Sequence, residues 1–173
     1  MAIVLILMGE MVSGDLETVY TWVFGLTIAA VFFDTIDGPV ARLLRAQSPM
    51  GAQLDNLCDA TTFGLAVGGA IVTFLLEILS LELSFLAYVS GFLWLSAVLI
   101  RLARFQVDQE SADRSEAHLY FRGLCSPVGA LFAVALMQLA VVSPLMKMMV
   151  PFVLLFIAGL MVSNIQFADL PKH

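Results

Sequence analysis

Charge is what this chain has least of. Only 13% of its 173 residues are charged, and Lys and Arg together number 8. With so few cations there is no basic stripe to neutralise a nucleic-acid backbone, so nucleic acid is not a partner. Cysteine is nearly as scarce. Two residues, Cys58 and Cys125, make no disulfide framework, and neither has the neighbours that activate a nucleophile. The two histidines, His118 and His173, read as a solvated loop residue and a tail residue. A P-loop and a dinucleotide-binding fingerprint are both missing.

What fills the chain instead is apolar. Hydrophobic residues make up 61% and the mean hydropathy is +0.98, the composition of a polytopic membrane protein. The length suits about six spans of ~20 residues with short connections. We expect an all-α, six-transmembrane-helix bundle forming one integral-membrane domain over residues 1–173. Met1–Met8 is apolar but too short to span, and it lacks the basic start and cleavage site of a signal peptide. It reads as the end of an abbreviated first span, followed by a polar connector at Ser13–Thr18. The remaining spans are expected near Val19–Leu44, Gly51–Ile78, Leu83–Phe105, Cys125–Val142 and Met148–Ile165. Turns are expected at Gln47-Ser48-Pro49 and Ser143-Pro144, and a polar loop over 106–119. Gly64, Gly68 and Gly69 would keep the third span slender for tight helix contacts.

Six spans place Arg42, Arg45, Arg101, Arg104, Arg114, Arg122 and Lys172 on one side and only Lys147 on the other. By the positive-inside rule both termini would be cytoplasmic, in the cell membrane.

Against this background residues 34 to 59 stand out. They run Asp34-Thr-Ile-Asp37-Gly38-Pro-Val-Ala41-Arg42, then, eight residues on, Gly51-Ala-Gln-Leu-Asp55-Asn-Leu-Cys-Asp59. Asp34 and Asp37 share a helix face at i, i+3, and Asp55 and Asp59 share one at i, i+4. An unpaired charge at membrane depth costs about 3 kcal/mol or more, so an intramembrane acid cluster is a functional-site hypothesis by default. A pair of divalent cations is the simplest compensator. All-oxygen ligands favour magnesium, manganese or calcium, and two such ions make a clamp for phosphoryl chemistry. Buried salt bridges and a proton or ion pathway are other readings, although Arg42 and Arg45 could neutralise at most two of the four acids. Gly38, Ala41 and Gly51 are small enough to let a ligand or a helix approach, and Arg42 is suited to phosphate.

The pattern D-x2-D-G-x2-A-R-x8-G-x3-D-x3-D resembles the signature of the CDP-alcohol phosphotransferases, with a match at every fixed position. The resemblance implies transfer of a phosphatidyl group from a CDP-linked lipid to an alcohol. Asp34, Asp37, Asp55 and Asp59 would hold two divalent cations (Mg2+, Mn2+ or Ca2+), and Asp59 would also act as general base. Gly38, Ala41, Arg42 and Gly51 would accommodate the nucleotide and its phosphates. The family also implies a homodimer.

A second block runs Arg101-Leu-Ala-Arg104-Phe105-Gln106, then Tyr120-Phe121-Arg122-Gly123-Leu124-Cys125-Ser126-Pro127. It is similar to the phosphatidylserine synthase branch of that family, with Gln106 where asparagine is usual and Cys125 where proline is usual. The substrates implied are CDP-diacylglycerol and L-serine, with CMP released. Arg101, Arg104 and Arg122 would bind the acceptor. Glycerol-3-phosphate or inositol phosphate as acceptor, an ether-linked lipid as donor, and a metal-dependent ion channel or transporter are the alternatives.

Overall fold

The computed structural model describes residues 16–45, 48–79, 84–112, 121–122, 124–163 and 166–167. Helix α1 (Leu16–Leu43) is followed by α2 (Pro49–Asp59), a π-helical segment (Ala60–Ala66) and α3 (Val67–Ile78), the last three forming one continuous rod. Then come α4 (Ser84–Ala112), α5 (Ser126–Val142) and α6 (Pro144–Val162). Two-residue strands β1 (Phe121–Arg122) and β2 (Gln166–Phe167) pair antiparallel, Phe121 opposite Phe167. The architecture is all-α.

Three helical stretches are long and apolar enough to cross a bilayer: Glu17–Ala41, Met50–Ile78 and Ser84–Val107. Ser126–Val141 and Met146–Val162 are shorter apolar helices. The protein is therefore a polytopic membrane protein, and five of the expected spans lie among the described residues. The expected first span, Met1–Met8, lies outside them, as do Arg114, His118, Lys172 and His173.

Several boundaries differ from the sequence expectation. Helix α4 runs on to Ala112 instead of ending at Phe105. Hydropathy marks where the chain leaves the apolar layer, whereas Gln106 to Ala112 contain no Gly or Pro to stop a helix. Helix α6 starts at Pro144 and ends at Val162, because Ser143 is the N-cap and Pro144 takes the first turn, where its missing N–H costs nothing. Helix α1 begins at Leu16, inside the expected connector. Its exit is set by Arg45, which adopts a left-handed φ of 51° and turns the chain toward α2.

The core lies between helix faces. Val23, Val67, Ala70, Ile71, Leu75, Trp94, Val98, Val134 and Met137 are fully buried, while Trp22, Phe32, Phe33, Phe85, Phe92, Phe132, Phe152 and Phe156 are exposed. An outward belt of this kind would be a liability in water but is the expected lipid contact here. Inside the bundle Tyr20 donates to or accepts from Thr73 Oγ1 at 3.2 Å and meets Phe74 edge-on at 5.1 Å, tying α1 to α3. Helices α3 and α4 cross closely at Gly68 and Gly91. A Cβ on Gly91 would run into Val72 and come within 3.0 Å of the Gly68 carbonyl oxygen. Gly64 also packs on α4, but Gly69 faces open space and plays no part in the contact expected of it.

Gly91→Ala is therefore expected to lower the melting temperature in detergent, at an overpacking cost of about 1–3 kcal/mol. Gly69→Ala should leave it unchanged or raise it slightly. Thermal unfolding of the two variants side by side checks the crossing.

Candidate metal centre

The acids come from two helices meeting at one end of the bundle. Helix α1 carries Asp34 and Asp37 near its C-terminal end, immediately before Gly38 and Pro39. Pro39 lies within the helix and has no N–H, so the Thr35 carbonyl loses its ordinary helical donor beside the acids. Helix α2 starts cleanly: Ser48 is extended, its Oγ accepts from Gly51 N–H at 3.0 Å, and Pro49 follows in the first turn. This cap fixes where α2 begins, and with it the heights of Asp55 and Asp59.

Asp34, Asp37 and Asp55 each bring one carboxylate oxygen within 4.8 Å of the other two. Oxygens on opposite sides of a hard cation at ~2.4 Å lie about 4.8 Å apart, so this spacing fits a shared divalent ion. Asp59 is half-buried, and its carboxyl is within hydrogen-bonding reach of Asp34. All four acids predicted from the sequence thus converge. Two facing carboxylates repel unless something positive lies between them, and an all-oxygen donor set is the kind that holds magnesium, manganese or calcium. The residues fit the cations that the motif implies.

The arginines separate into different roles. Arg101 is 8% exposed. It donates from Nη1 to Ser126 Oγ at 2.8 Å, and its charge acts on both Asp59 and Cys125. Its Nε is buried with no hydrogen-bond partner. Arg104, one turn on, is exposed and donates from Nη1 to the Val162 carbonyl at 2.6 Å, covering the C-terminal end of α6 where a cation is favoured. Arg122 lies in β1, and Arg42 in the last turn of α1; neither side chain is among those described. Gly38 has open space where a side chain would sit, Ala41 is half-buried, and Gly51 belongs to the α2 cap.

Two features were missed in the sequence. Ser126 is completely buried as the partner of Arg101, and its place as the hydroxyl opening an apolar helix was a usable signal. Gln106 Nε2 lies 3.3 Å from Gln53 Oε1, joining α4 to the helix that carries Asp55.

A family model described as CDP-alcohol phosphatidyltransferase matches residues 1–165. Among curated proteins, one from Mycobacterium tuberculosis (strain H37Rv) is 38% identical over 115 residues, covering 66% of this chain and 38% of its own length. One from Methanocaldococcus jannaschii is 30% identical over 150 residues, covering 86% and 65%. One from Helicobacter pylori (strain J99) is 29% identical over 152 residues, covering 85% and 60%. Each is named CDP-diacylglycerol–serine O-phosphatidyltransferase. The match thus spans 38% of the mycobacterial relative and less than two thirds of the others.

A cation bound by folded protein and not by unfolded chain raises stability, by about 2.7 kcal/mol at 100 times its Kd. Mg2+ or Mn2+ is expected to raise the melting temperature in detergent, and Asp37→Asn, an exposed position, should remove most of that rise without lowering the cation-free value. An unaltered protein whose melting point ignores both ions would contradict the assignment.

Proposed function

Because the chain belongs to the CDP-alcohol phosphatidyltransferase family, we propose that it transfers the phosphatidyl group of CDP-diacylglycerol to the hydroxyl of L-serine, giving phosphatidylserine and CMP. The observation that carries this reading is the four-acid cluster shared by α1 and α2, with buried Arg101 beside it. The names of the relatives support the serine acceptor.

In this reading Asp34, Asp37, Asp55 and Asp59 hold two divalent cations. When bound, these supply Lewis-acid charge neutralisation for the diphosphate and the departing CMP. The chain's own residues do the rest. Gly38 leaves the space into which the cytidine fits, and Arg42 contributes a cation for phosphate. Asp59 accepts the serine hydroxyl proton, because that hydroxyl is too weak an acid to attack unaided. The serine oxygen bonds to the β-phosphorus, the bond from that phosphorus to the bridging oxygen breaks, and CMP carries the electron pair away. Arg101, oriented by Ser126, offers its remaining donors to the serine carboxylate. Arg122 is a further candidate for that role, whereas the bond from Arg104 to Val162 favours a structural one.

Arg101 and Arg104 in the C-terminal half of α4, Ser126 at the start of α5 and Val162 at the end of α6 meet at the acid-bearing end of the bundle. This supports a cytoplasmic active site in the cell membrane, where a water-soluble nucleotide reaches the cluster while the lipid tails stay in the bilayer. We take residues 1–173 as one catalytic domain, with a homodimer as the assembly expected of the family.

The test is CMP release by purified protein given CDP-diacylglycerol and Mn2+ or Mg2+, with serine, glycerol-3-phosphate and inositol phosphate in separate reactions. Release with serine alone is expected. Asp59→Asn should lower kcat by about 10²–10⁴, and Arg101→Lys should act mainly on the serine KM. Release with a phosphorylated acceptor instead would overturn the serine assignment.

A further inference from the structure

The rod that carries Asp55 and Asp59 is not a regular helix. Directly after Asp59 the chain enters the π-helical segment Ala60–Ala66. In an unbroken α-helix the Val67 N–H would bond to the Phe63 carbonyl; at the end of the π segment it bonds to the Gly64 carbonyl, an i→i−3 contact that closes the segment. The Phe63 carbonyl instead accepts the indole N–H of Trp94 at 2.9 Å. Trp94 is 1% exposed, on α4. Thr61 adds its hydroxyl to the Leu57 and Cys58 carbonyls at 2.9 and 3.0 Å, a back-bonding that bends helices. Gly64 lets α4 close on the segment, since a Cβ there would stand 2.9 Å from Leu95 Cδ1.

The angular consequence can be counted. Val67, Gly68, Ala70, Ile71, Phe74 and Leu75 form the buried face of α3, toward the bundle interior. At about 100° per residue, an uninterrupted α-helix would point that face about 120° away from the midpoint of Asp55 and Asp59. A π turn takes in one residue more than an α turn, which removes about 100° of the difference. The acids and the buried face then point the same way. This is how Asp59 comes within hydrogen-bonding reach of Asp34 of α1 and under the influence of the Arg101 charge. Trp94 and Arg101 are seven residues apart on one face of α4, so the helix that brings the cation to the acids also holds the turn that aims them.

We propose that Trp94 is a positioning residue for the metal centre: its indole N–H holds the Phe63 carbonyl out of α-helical register, and the π turn so maintained aims Asp55 and Asp59 at Asp34 and Asp37. This rests on the metal-centre reading above. Without the donor, Val67 N–H recovers the Phe63 carbonyl and the acid pair swings away from Asp34 and Asp37.

The experiment is Mn2+ binding by electron paramagnetic resonance on purified protein in detergent, with no substrate present. Trp94→Phe keeps an aromatic ring and removes the donor; its Mn2+ Kd is expected to rise about tenfold or more. Tyr20→Phe is the control. It removes the bond to Thr73 at the other end of the bundle, lowers stability and leaves the Kd unchanged. If Trp94→Phe does not fold, 3-benzothienylalanine at position 94 in a Trp22→Phe background removes the same N–H while keeping the ring shape. Unchanged Mn2+ affinity in a folded donor-free protein would overturn the proposal, whatever its melting temperature. An unaltered protein that binds no Mn2+ would overturn the metal-centre reading and this inference with it. Normal Mn2+ binding without CMP release would reject the transferase reading alone.

Discussion

Mutual repulsion among four carboxylates at one end of an apolar bundle is the constraint on which this structure turns. Two unit charges 4 Å apart interact by about 4 kcal/mol at an effective dielectric of 20, and Asp34, Asp37 and Asp55 have oxygens within 4.8 Å of one another. Several such pairs amount to a large share of the 5–15 kcal/mol, roughly, by which a domain is stable. The single guanidinium of Arg101, already engaged with Ser126, is too little positive charge to balance four acids. Divalent cations would resolve the conflict, and in the proposed function they would turn a destabilising cluster into a grip on a diphosphate.

The helices around the cluster serve that arrangement. Helix α1 meets the rod at two places, through Tyr20 and Thr73 near one end and through the acids near the other. Helix α4 is held against the rod at Gly68 and Gly91, close enough for Trp94 to reach the Phe63 carbonyl and for the Arg101 charge to act on Asp59. Arg104 fastens α4 to the end of α6. The geometry of the acid cluster and the packing of the helices are thus set by the same contacts.

How much of this could be read from the residues depended on the range of the interaction. The acids were legible because charge is rare in the chain and because i, i+3 and i, i+4 spacing assigns a face without further information. The spans were legible from hydropathy, but the end of α4 was not, since hydropathy reports the edge of the apolar layer and the helix continues past it to Ala112. Arg101 and Arg104 looked equivalent on one helical stripe. Only the docking of α5 and α6 separates them, giving one a buried serine and the other a helix-terminal carbonyl. The π turn left a trace that could have been found: the apolar phase of Val67 to Leu75 is out of step with Asp55 and Asp59 by about one residue. Its stabilisation by Trp94, thirty-one positions from Phe63, could not have been.

In the proposed reading Asp34, Asp37, Asp55 and Asp59 together hold divalent cations. The most direct measurement is anomalous scattering at the manganese edge from crystals grown in lipid with Mn2+. Two anomalous peaks are expected between the ends of α1 and α2, each within about 2.0–2.4 Å of carboxylate oxygens. A structure with Mn2+ in excess, no peak there, and the four carboxylates paired to arginines would contradict it.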